Sequence, residues 1–461
     1  MAEHTVIMET TLRKLLGEKK YSTLRDILVT MNPADIAAIF DEMEEDRLPL
    51  LYRLLPKELA ADVFVEMDQE AQELLIRGFS DSELKEVIDE LFVDDAVDIV
   101  EEMPANVVRR ILSQADPEMR KSINEILRYP EYSAGSIMTT EYISLRPKMT
   151  VAEAITRIRR TGIDKETIYT CYVTKDRTLI GVCTVKDLLL CEDDEQTIES
   201  IMHTNVISVS THDDQEEVAQ MFSKYNFMAL PVVDAESRLV GIITFDDAMD
   251  VMEEEATEDI EKMAAIIPSE KPYMSMSPFE IWKNRIPWLL LLMVSATFTG
   301  MIISHFEDAL QALVVLTAFI PMLMDTAGNS GSQASVTVIR GLSLNELDFS
   351  DIFQIIWKEV RVAVLCGLTL AAACFLKIYL VDNLLLHSFV GVDRKFLVIG
   401  VICITLSITV LFAKVVGCVL PLVAKKLGFD PAVMASPFIT TIVDALSLLV
   451  YFGVARLFLH I

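Results

Sequence analysis

The sequence lacks the residue patterns that build disulfide frameworks, zinc sites and the common catalytic centres. It holds only seven cysteines and six histidines among 461 residues, and no two cysteines form a CxxC pair. An odd cysteine count, with four of the seven in apolar runs, argues against a disulfide framework and indicates a reducing compartment. No P-loop and no Ser/His/Asp set stands out. We therefore expect a protein that is not an enzyme.

Positive charge is also scarce, and the deficit is confined to the first part of the chain. The sequence carries 69 Asp and Glu against 40 Lys and Arg, a formal net charge of −29. Residues 1–285 hold 58 of these acids and 30 of the bases, whereas residues 286–461 hold 11 and 10. Such a surface repels nucleic acid and attracts divalent cations, although solubility alone would favour the same acids. We expect no nucleic-acid partner.

The N-terminal region reads as helices only. It has no apolar core of the signal-peptide type, which predicts that the first half of the chain is cytoplasmic. Short amphipathic units recur, each with Pro or Asp at the helix start, and they predict an all-α superhelical N domain at residues 1–130. Most of its acids would form a solvated face. Asp94, Asp95 and Asp98 differ, because they place three carboxylates within about one helical turn.

An α/β duplication occupies residues 131–250. The strings that begin at Leu179 and Leu239 each predict a strand, a Gly turn, a strand ending in Thr, and a helix opened by Asp. The duplication resembles a tandem CBS-domain pair, at about 136–199 and 200–250. CBS pairs often bind ATP or another adenosine nucleotide, with Thr and Asp at these positions meeting phosphate and ribose. The same residues equally serve as strand end and helix N-cap, and both interpretations stay open for Thr184, Asp187, Thr244 and Asp247.

A strongly acidic helix is predicted where the acidic part of the chain meets the apolar part. The string DAMDVMEEEATEDIEKMAA begins at Asp247, and seven acids lie between Asp250 and Glu261. Like charges at this density destabilise an isolated helix unless another charged body or a bound cation screens them. We predict a long connecting helix at residues 251–270, where a sensor would have to join a pore.

Hydropathy predicts an α-helical membrane domain of five spans within residues 271–461. The distribution of Lys and Arg favours a cytoplasmic N-terminus and an outside C-terminus, although Arg394 and Lys395 count against this orientation. Lys377 and Lys414 are interpreted as structural residues that reach the headgroups from near the span ends. The predicted spans are roughly 286–305, 309–324, 352–378, 396–422 and 431–458.

The second span is predicted to end in irregular backbone, from Pro321 to Gly341. Backbone so rich in Gly, Ser and Asn is tolerated at membrane depth only where it is packed in protein or lines water. Asp325, Asn329 and Gln333 would supply one charged and two neutral oxygen ligands there. The alternative is an ordinary cytoplasmic turn.

The last span carries a carboxylate near its midpoint, where a charge costs roughly 3 kcal/mol. Asp444 shares one polar helix face with Ser436, Thr440 and Ser447, and Pro437 leaves a carbonyl near the start of that face without its helical donor. Carboxylate, hydroxyl and carbonyl oxygens are the ligands of hard cations. The stripe therefore predicts a cation pathway, with an Asp satisfied by neighbouring hydroxyls as the alternative.

The order of these parts resembles the MgtE-type magnesium transporters. The match lies in DAMDVMEEEATEDIEKM, in AGNSGSQASVTVIRGL and in PFITTIVDALSLLVYF. The resemblance implies a homodimer with its pore on the dimer axis, Asp444 binding a hydrated Mg²⁺ ion, and Asn329 beside the pore. It also implies that cytosolic Mg²⁺ closes the pore by bridging acids of the N domain, the CBS pair and the connecting helix, which serves as a plug. The matching acids are Asp94 or Asp95, Asp247, Asp250, Glu255, Glu258 and Asp259.

We therefore expect an integral membrane protein, in contact with lipid in the bacterial cell membrane, that mediates Mg²⁺ uptake. Two other interpretations stay open. One is a divalent cation transporter or exporter of the same fold, coupled to H⁺ or Na⁺. The other is a nucleotide-sensing membrane regulator without ion flux.

Overall fold

A computed structural model describes residues 2–269, 271, 273–307, 311, 313–389, 394–434 and 436–460, with the backbone alone at 2–7, 9 and 436. The chain divides into two compact units. The N-terminal unit is Met1–Met252 and the C-terminal unit is Glu253–Ile461. Each unit is described by itself.

The first part of the N-terminal unit is a stack of short helices. Asn32 accepts a hydrogen bond from a backbone N–H of the helix that it precedes, and Ser80 and Glu83 form a reciprocal capping box. Apolar side chains from successive helices form one core, which continues into the second α/β motif. The described residues before 143 contain no strand, as the amphipathic units predict. The helices are α1 Ala2–Gly17, α2 Tyr21–Leu28, α3 Pro33–Asp41, α4 Leu48–Tyr52, α5 Lys57–Val65, α6 Gln69–Gly78, α7 Asp81–Ile88, α8 Val93–Glu102, α9 Ala105–Gln114 and α10 Pro117–Ile126.

Two copies of a small α/β motif follow this stack. The elements are β1 Ile143–Leu145, α11 Val151–Thr161, β2 Thr170–Lys175, β3 Thr178–Thr184, α12 Val185–Leu190, α13 Ile198–Ile201, β4 Val209–Ser210, α14 Gln215–Tyr225, β5 Ala229–Val233, β6 Leu239–Thr244 and α15 Phe245–Met263. Each sheet has its first strand parallel to the second and its second antiparallel to the third, in the orders β1-β2-β3 and β4-β5-β6. The predicted duplication is thus present in the backbone.

The repeated glycines of the two motifs mark matching close approaches. A Cβ at Gly181 in β3 would lie 2.7 Å from the sulfur of Met202, and a Cβ at Gly241 in β6 would lie 2.7 Å from the sulfur of Met138. A real Cβ would force the methionine away, so the repeat keeps glycine where another segment crosses the strand.

The C-terminal unit is a bundle of long apolar helices. Its helices beyond α15 are α16 Pro278–His305, α17 Ile320–Ser343, α18 Ile352–Lys377, α19 Lys395–Lys426 and α20 Ser436–Leu459, with 3₁₀ turns at Val314–Phe319, Phe349–Asp351 and Pro431–Met434 and a π-helical segment at Ile378–Leu385. Within the described residues, the segments that contain α16, α18, α19 and α20 are long and apolar enough to span a membrane. This apolar bundle is that of an integral membrane protein.

The backbone from Pro321 to Gly341 differs from the prediction. It lies inside the continuous helix α17, so the predicted irregular segment, whether at membrane depth or as a cytoplasmic turn, is wrong. The helix also begins well after the start of the predicted second span. Its glycines and serines are used for close packing against α19 and α20 rather than for turning the chain.

Candidate functional site

Asp444 lies on α20, where the described residues leave one of its two carboxylate oxygens without a partner. Its Oδ1 atom is buried and has no hydrogen-bond partner in the described part of the chain, and the same is true of the Ser447 hydroxyl. An Asp satisfied by nearby hydroxyls, the alternative raised by the sequence, is therefore not what the fold provides at Oδ1. Burying such an oxygen without a partner is unfavourable by at least about 1–3 kcal/mol.

The neighbouring helix α17 presents a polar face at the same place. Asp325, Asn329 and Gln333 are all exposed and follow one another at four-residue spacing, so they form a single stripe. The carboxylate of Asp325 acts as a like charge on Asp444. Two carboxylates and two amides therefore lie on adjoining faces of α17 and α20, which are together called the polar groove here, although a loop was predicted to carry three of them.

Glycines on α17 set how closely the helices of this groove approach. A Cβ at Gly328 would lie 2.7 Å from Cγ2 of Thr440, so Thr440 turns its methyl group against α17. A Cβ at Gly417 in α19 would lie 2.2 Å from the backbone oxygen of Gly331. Since backbone cannot move aside as a side-chain end can, position 417 requires glycine. The side chain of Ser436, the remaining member of the predicted stripe, lies outside the described residues.

A buried ion pair crosses from α18 to α19 beside the groove. The Nζ atom of Lys414 lies 3.7 Å from Oε2 of Glu359, and Lys414 is only 4% exposed. The prediction that Lys414 reaches the headgroups is therefore wrong: the aliphatic stem is covered on all sides, and the charge is met by a carboxylate instead. Lys377 pairs with Asp382 at 2.8 Å.

The N-terminal unit gathers acids from three separate parts of the sequence. Asp94 and Asp95 of α8, Glu166 of the segment after α11, and Asp247 of α15 act on one another electrostatically. Burial, followed by Asp247, raises the pKa of Asp94 well above its usual range and that of Asp95 to about 7. Asp98, singled out with them in the sequence, is exposed on α8, and the charges of Asp247 and Asp95 act on it as well.

Glu166 is a member of this acidic cluster that the sequence did not indicate. Burial, followed by the charge of Asp95, raises its pKa to about 8, and its Oε2 has no hydrogen-bond partner among the described residues. It lies outside the duplicated strings and outside any acidic run, so no local signal marks it. Only the packing of the helical stack on the α/β motifs brings it to Asp94.

The acids of α15 and its neighbours are divided between the two units. Asp250 belongs to the N-terminal unit and Glu255 to the C-terminal unit, and each is engaged by a neighbouring group. No set of three or more His, Cys, Asp or Glu side chains within the described ranges is arranged to hold a metal ion. A magnesium site does not require three such side chains, because Mg²⁺ commonly keeps several waters and binds only one or two carboxylates.

The C-terminal half of α15 contacts the membrane bundle through ion pairs and a hydrogen bond. Lys262 lies 2.5 Å from Glu258 and 2.6 Å from Asp430, in the turn that follows α19. The Ser343 hydroxyl at the end of α17 donates to Asp259 over 3.1 Å. Burial, partly offset by this hydrogen bond, raises the pKa of Asp259. Glu258 and Asp259 thus lie where α15 meets the ends of α17 and α19.

The Thr and Asp of both α/β motifs are engaged locally. Thr184 donates to Asp187 over 2.6 Å, and the pair forms the capping box of α12. Thr244 bonds Asp247 in the same way at the start of α15. Helix capping is therefore one role that these residues do fill. A cavity of about 620 Å³ nevertheless opens beside Thr184, lined also by Tyr169, Thr170, Val185, Lys186, Leu189, Leu190 and Met228.

Comparisons with known proteins identify the family. A family described as a divalent cation transporter, MgtE, matches residues 320–454, which hold both helices of the polar groove. The MgtE intracellular N domain matches residues 31–132, and the CBS domain matches 134–192 and 198–254. This chain belongs to the MgtE family. The resemblance seen in the sequence is confirmed, and so is the expectation of a transporter family rather than an enzyme.

Curated relatives match along nearly the full length. The magnesium transporter MgtE of Thermus thermophilus is 36% identical over 458 residues, covering 98% of this chain and 99% of the relative. The magnesium transporter MgtE of Bacillus subtilis is 34% identical, covering 97% and 96%. A crystal structure of the cytosolic domain of the Mg²⁺ channel MgtE in complex with ATP is 37% identical, with a TM-score of 0.50, and covers 53% of this chain and 99% of that one.

The contact between Gly331 and Gly417 can be tested by adding one methyl group. We expect Gly417→Ala to lower the stability of the membrane unit by at least about 1–3 kcal/mol, because its Cβ would meet a backbone oxygen. Gly400→Ala on the same helix is the matched control, since nothing lies within 4 Å of a Cβ there. Thermal unfolding and size-exclusion profiles in detergent would measure both variants. Equal behaviour of the two would contradict the proposed close packing.

The acidic cluster predicts that the stability of the N-terminal unit depends on pH when divalent ions are absent. The pKa of Glu166 is raised to about 8 and that of Asp95 to about 7, so folding favours their protonated forms. Their stabilising effect is complete below the unfolded-state pKa of about 4 and is lost as pH rises towards 8. We expect the N-terminal unit of the chelator-treated protein to melt about 3–6 °C lower at pH 8 than at pH 6.

Glu166→Gln supplies the test of this assignment. The amide carries no charge at either pH, so the variant should show a smaller difference between pH 6 and pH 8 and a higher melting temperature at pH 8. Glu153→Gln would not serve as a control, because Glu153 caps α11. Glu70→Gln on the exposed first turn of α6 should leave the pH dependence unchanged. A pH profile that Glu166→Gln does not flatten would exclude Glu166 as its source.

Proposed function

We propose that this protein mediates the uptake of Mg²⁺ across the membrane, with Asp444 as the ion-binding residue of the pore. The observation that carries the proposal is the buried, unpartnered Oδ1 atom of Asp444 beside the exposed polar face of α17. A carboxylate in that position needs a cation or ordered water. The names of the full-length relatives support magnesium as the ion.

Helix α17 is proposed as an additional membrane span, second in chain order, which brings the total to five. Its 24 residues would extend about 36 Å, which is enough to cross the hydrocarbon of a bilayer. It is too polar to stand out by hydropathy, because its exposed face carries Asp325, Asn329 and Gln333. Such a face cannot contact lipid. A homodimer in which α17 and α20 of both subunits surround the axis would place this face in water.

In such a dimer, two Asp444 side chains would face one hydrated ion. Magnesium loses its water reluctantly, so binding the hydrated ion through its waters requires less dehydration than direct coordination. The carboxylates would accept hydrogen bonds from those waters, and Asn329 and Asp325 would supply further acceptors along the groove. Two carboxylates balance the charge of a divalent ion, which favours it over a monovalent one.

The acids outside the groove are proposed to close the pore when cytosolic Mg²⁺ is high. Ions bound by Asp94 or Asp95, Asp247, Asp250, Glu255, Glu258 and Asp259 would favour the closed state by binding it more tightly than the open one. In this proposal α15 is the plug, which is supported by the contacts of Asp259 and Lys262 with the bundle. Without ions, repulsion among the acids would release it.

The cavity beside Thr184 is proposed to bind ATP or another adenosine nucleotide. Tyr169 and Met228 offer apolar surface for a base, and Lys186 offers a positive charge for phosphate. The similar cytosolic domain of the Mg²⁺ channel MgtE was crystallised in complex with ATP, which supports this proposal. We further propose that the protein lies in the bacterial cell membrane with its N-terminal unit in the cytoplasm and its C-terminus outside.

The pore assignment is tested by Asp444→Ala in liposomes loaded with a magnesium-sensitive dye. We expect Mg²⁺ influx to fall at least 10-fold while the dimer still forms, because the variant removes the only charge on the polar face of α20. Glu346→Gln, in the exposed turn after α17, is the control and should retain influx. Full influx through Asp444→Ala would exclude this residue as the ion site.

The gate is tested with Glu258→Gln and Asp259→Asn combined. Their loss should leave influx insensitive to millimolar Mg²⁺ on the cytosolic side, because the acids at the contact with the bundle would no longer hold the ion. Glu253→Gln, an exposed acid on the same helix, should keep the inhibition. Inhibition retained by the double variant would count against α15 as the plug.

A further inference from the structure

The first α/β motif contains a basic cleft that neither the pore nor the acidic gate uses. It has a volume of about 520 Å³ and is lined by Arg146, Met149, Ala152, Glu153, Thr156, Arg157 and Arg160. This volume lies within the usual range for small-molecule sites, about 300–1,000 Å³. None of its lining residues is shared with the cavity beside Thr184.

The three arginines of this cleft have no partners of their own. No guanidinium group of Arg146, Arg157 or Arg160 forms a hydrogen bond or ion pair with another of the described residues. Some other arginines of the same unit do have carboxylate partners: Arg53 lies 2.7 Å from Glu83 and Arg110 lies 3.1 Å from Asp81. Three unpaired cations around one concave surface repel one another, so the cleft favours an anion.

The local charge is opposite to that of its surroundings. Residues 146–165 carry six Lys and Arg against two Asp and Glu, within a region of the chain that is otherwise strongly acidic. The one acid in the lining, Glu153, accepts a hydrogen bond from the backbone N–H of Thr150 over 3.1 Å and caps α11. Its charge is thereby directed towards the helix N-terminus.

We infer that this cleft binds a small phosphate-bearing anion. Guanidinium groups match the tetrahedral oxygens of phosphate by paired hydrogen bonds, and three of them converge here from α11 and the loop after β1. Met149 and Ala152 provide an apolar surface for the organic part of such a molecule. The phosphate belongs either to a soluble metabolite or to a lipid headgroup, which share this chemistry.

Calorimetric titration of the full chain in detergent, in magnesium-free buffer of low salt, tests the inference with inorganic pyrophosphate as the probe. We expect saturable binding that Arg157→Gln combined with Arg160→Gln weakens at least 10-fold. Arg159→Gln, on the same helix but outside the lining, removes one charge where the double variant removes two, and it should weaken binding less than about twofold. The corresponding lysine double variant should retain part of the affinity, and equal melting temperatures should show that all variants fold.

Two further titrations identify the site and the source of the phosphate. Lys186→Gln, in the cavity beside Thr184, should leave pyrophosphate binding unchanged. Glycerol 1-phosphate, which represents a lipid headgroup, should bind more weakly than pyrophosphate if the natural ligand is a soluble polyphosphate and more tightly if it is a lipid. Absence of saturable binding of both probes would overturn the inference, as would an equal loss in Arg159→Gln and in the double variant.

Discussion

The membrane unit is constrained by one buried carboxylate oxygen, Oδ1 of Asp444, that has no hydrogen-bond donor among the described residues. Elsewhere in the described part of this unit, buried charge is met within the chain: Lys414 has Glu359 and Lys377 has Asp382. Asp444 differs because the charged neighbour that acts on it, Asp325, has the same sign. A protein that pairs its other buried charges and leaves this one open retains an unfavourable interaction there, which is why a cation site is proposed at Asp444.

Close helix packing determines which face of α17 is left exposed. The glycines of α17 and α19 bring the two backbones into direct contact, and the methyl of Thr440 fits against Gly328. With the small residues directed inward, the large polar residues of α17 necessarily lie on the opposite, exposed face. The same sequence feature therefore determines both the packing of one subunit and the polarity of the surface that a second subunit would cover.

The sequence was sufficient to predict which side chains lie together on one helix, but not which helices pack against one another. The polar face of α20, the duplicated motif and the acidic helix α15 are periodic or repeated patterns, so they could be read locally. Helix α17 could not, because glycine and serine are typical both of loops and of tightly packed membrane helices, and only the neighbouring helix distinguishes the two. Lys414 was misjudged for the same reason, since Glu359 is more than fifty residues away along the chain. Glu166 joins Asp94 only through the tertiary fold.

Acids repel one another within each of the two units, and this repulsion is reduced in a different way in each unit. In the N-terminal unit, burial and then repulsion among the carboxylates favour the protonated forms of Asp95 and Glu166, which raises their pKa values to about 7 and about 8. At the regulatory site proposed there, a proton and a divalent ion would compete for the same oxygens, and the ion would gain as pH rises. In the C-terminal unit, Lys262 already lies between Glu258 and Asp430 and supplies the positive charge permanently. The negative charge where α15 meets the bundle is thus partly neutralised within the chain.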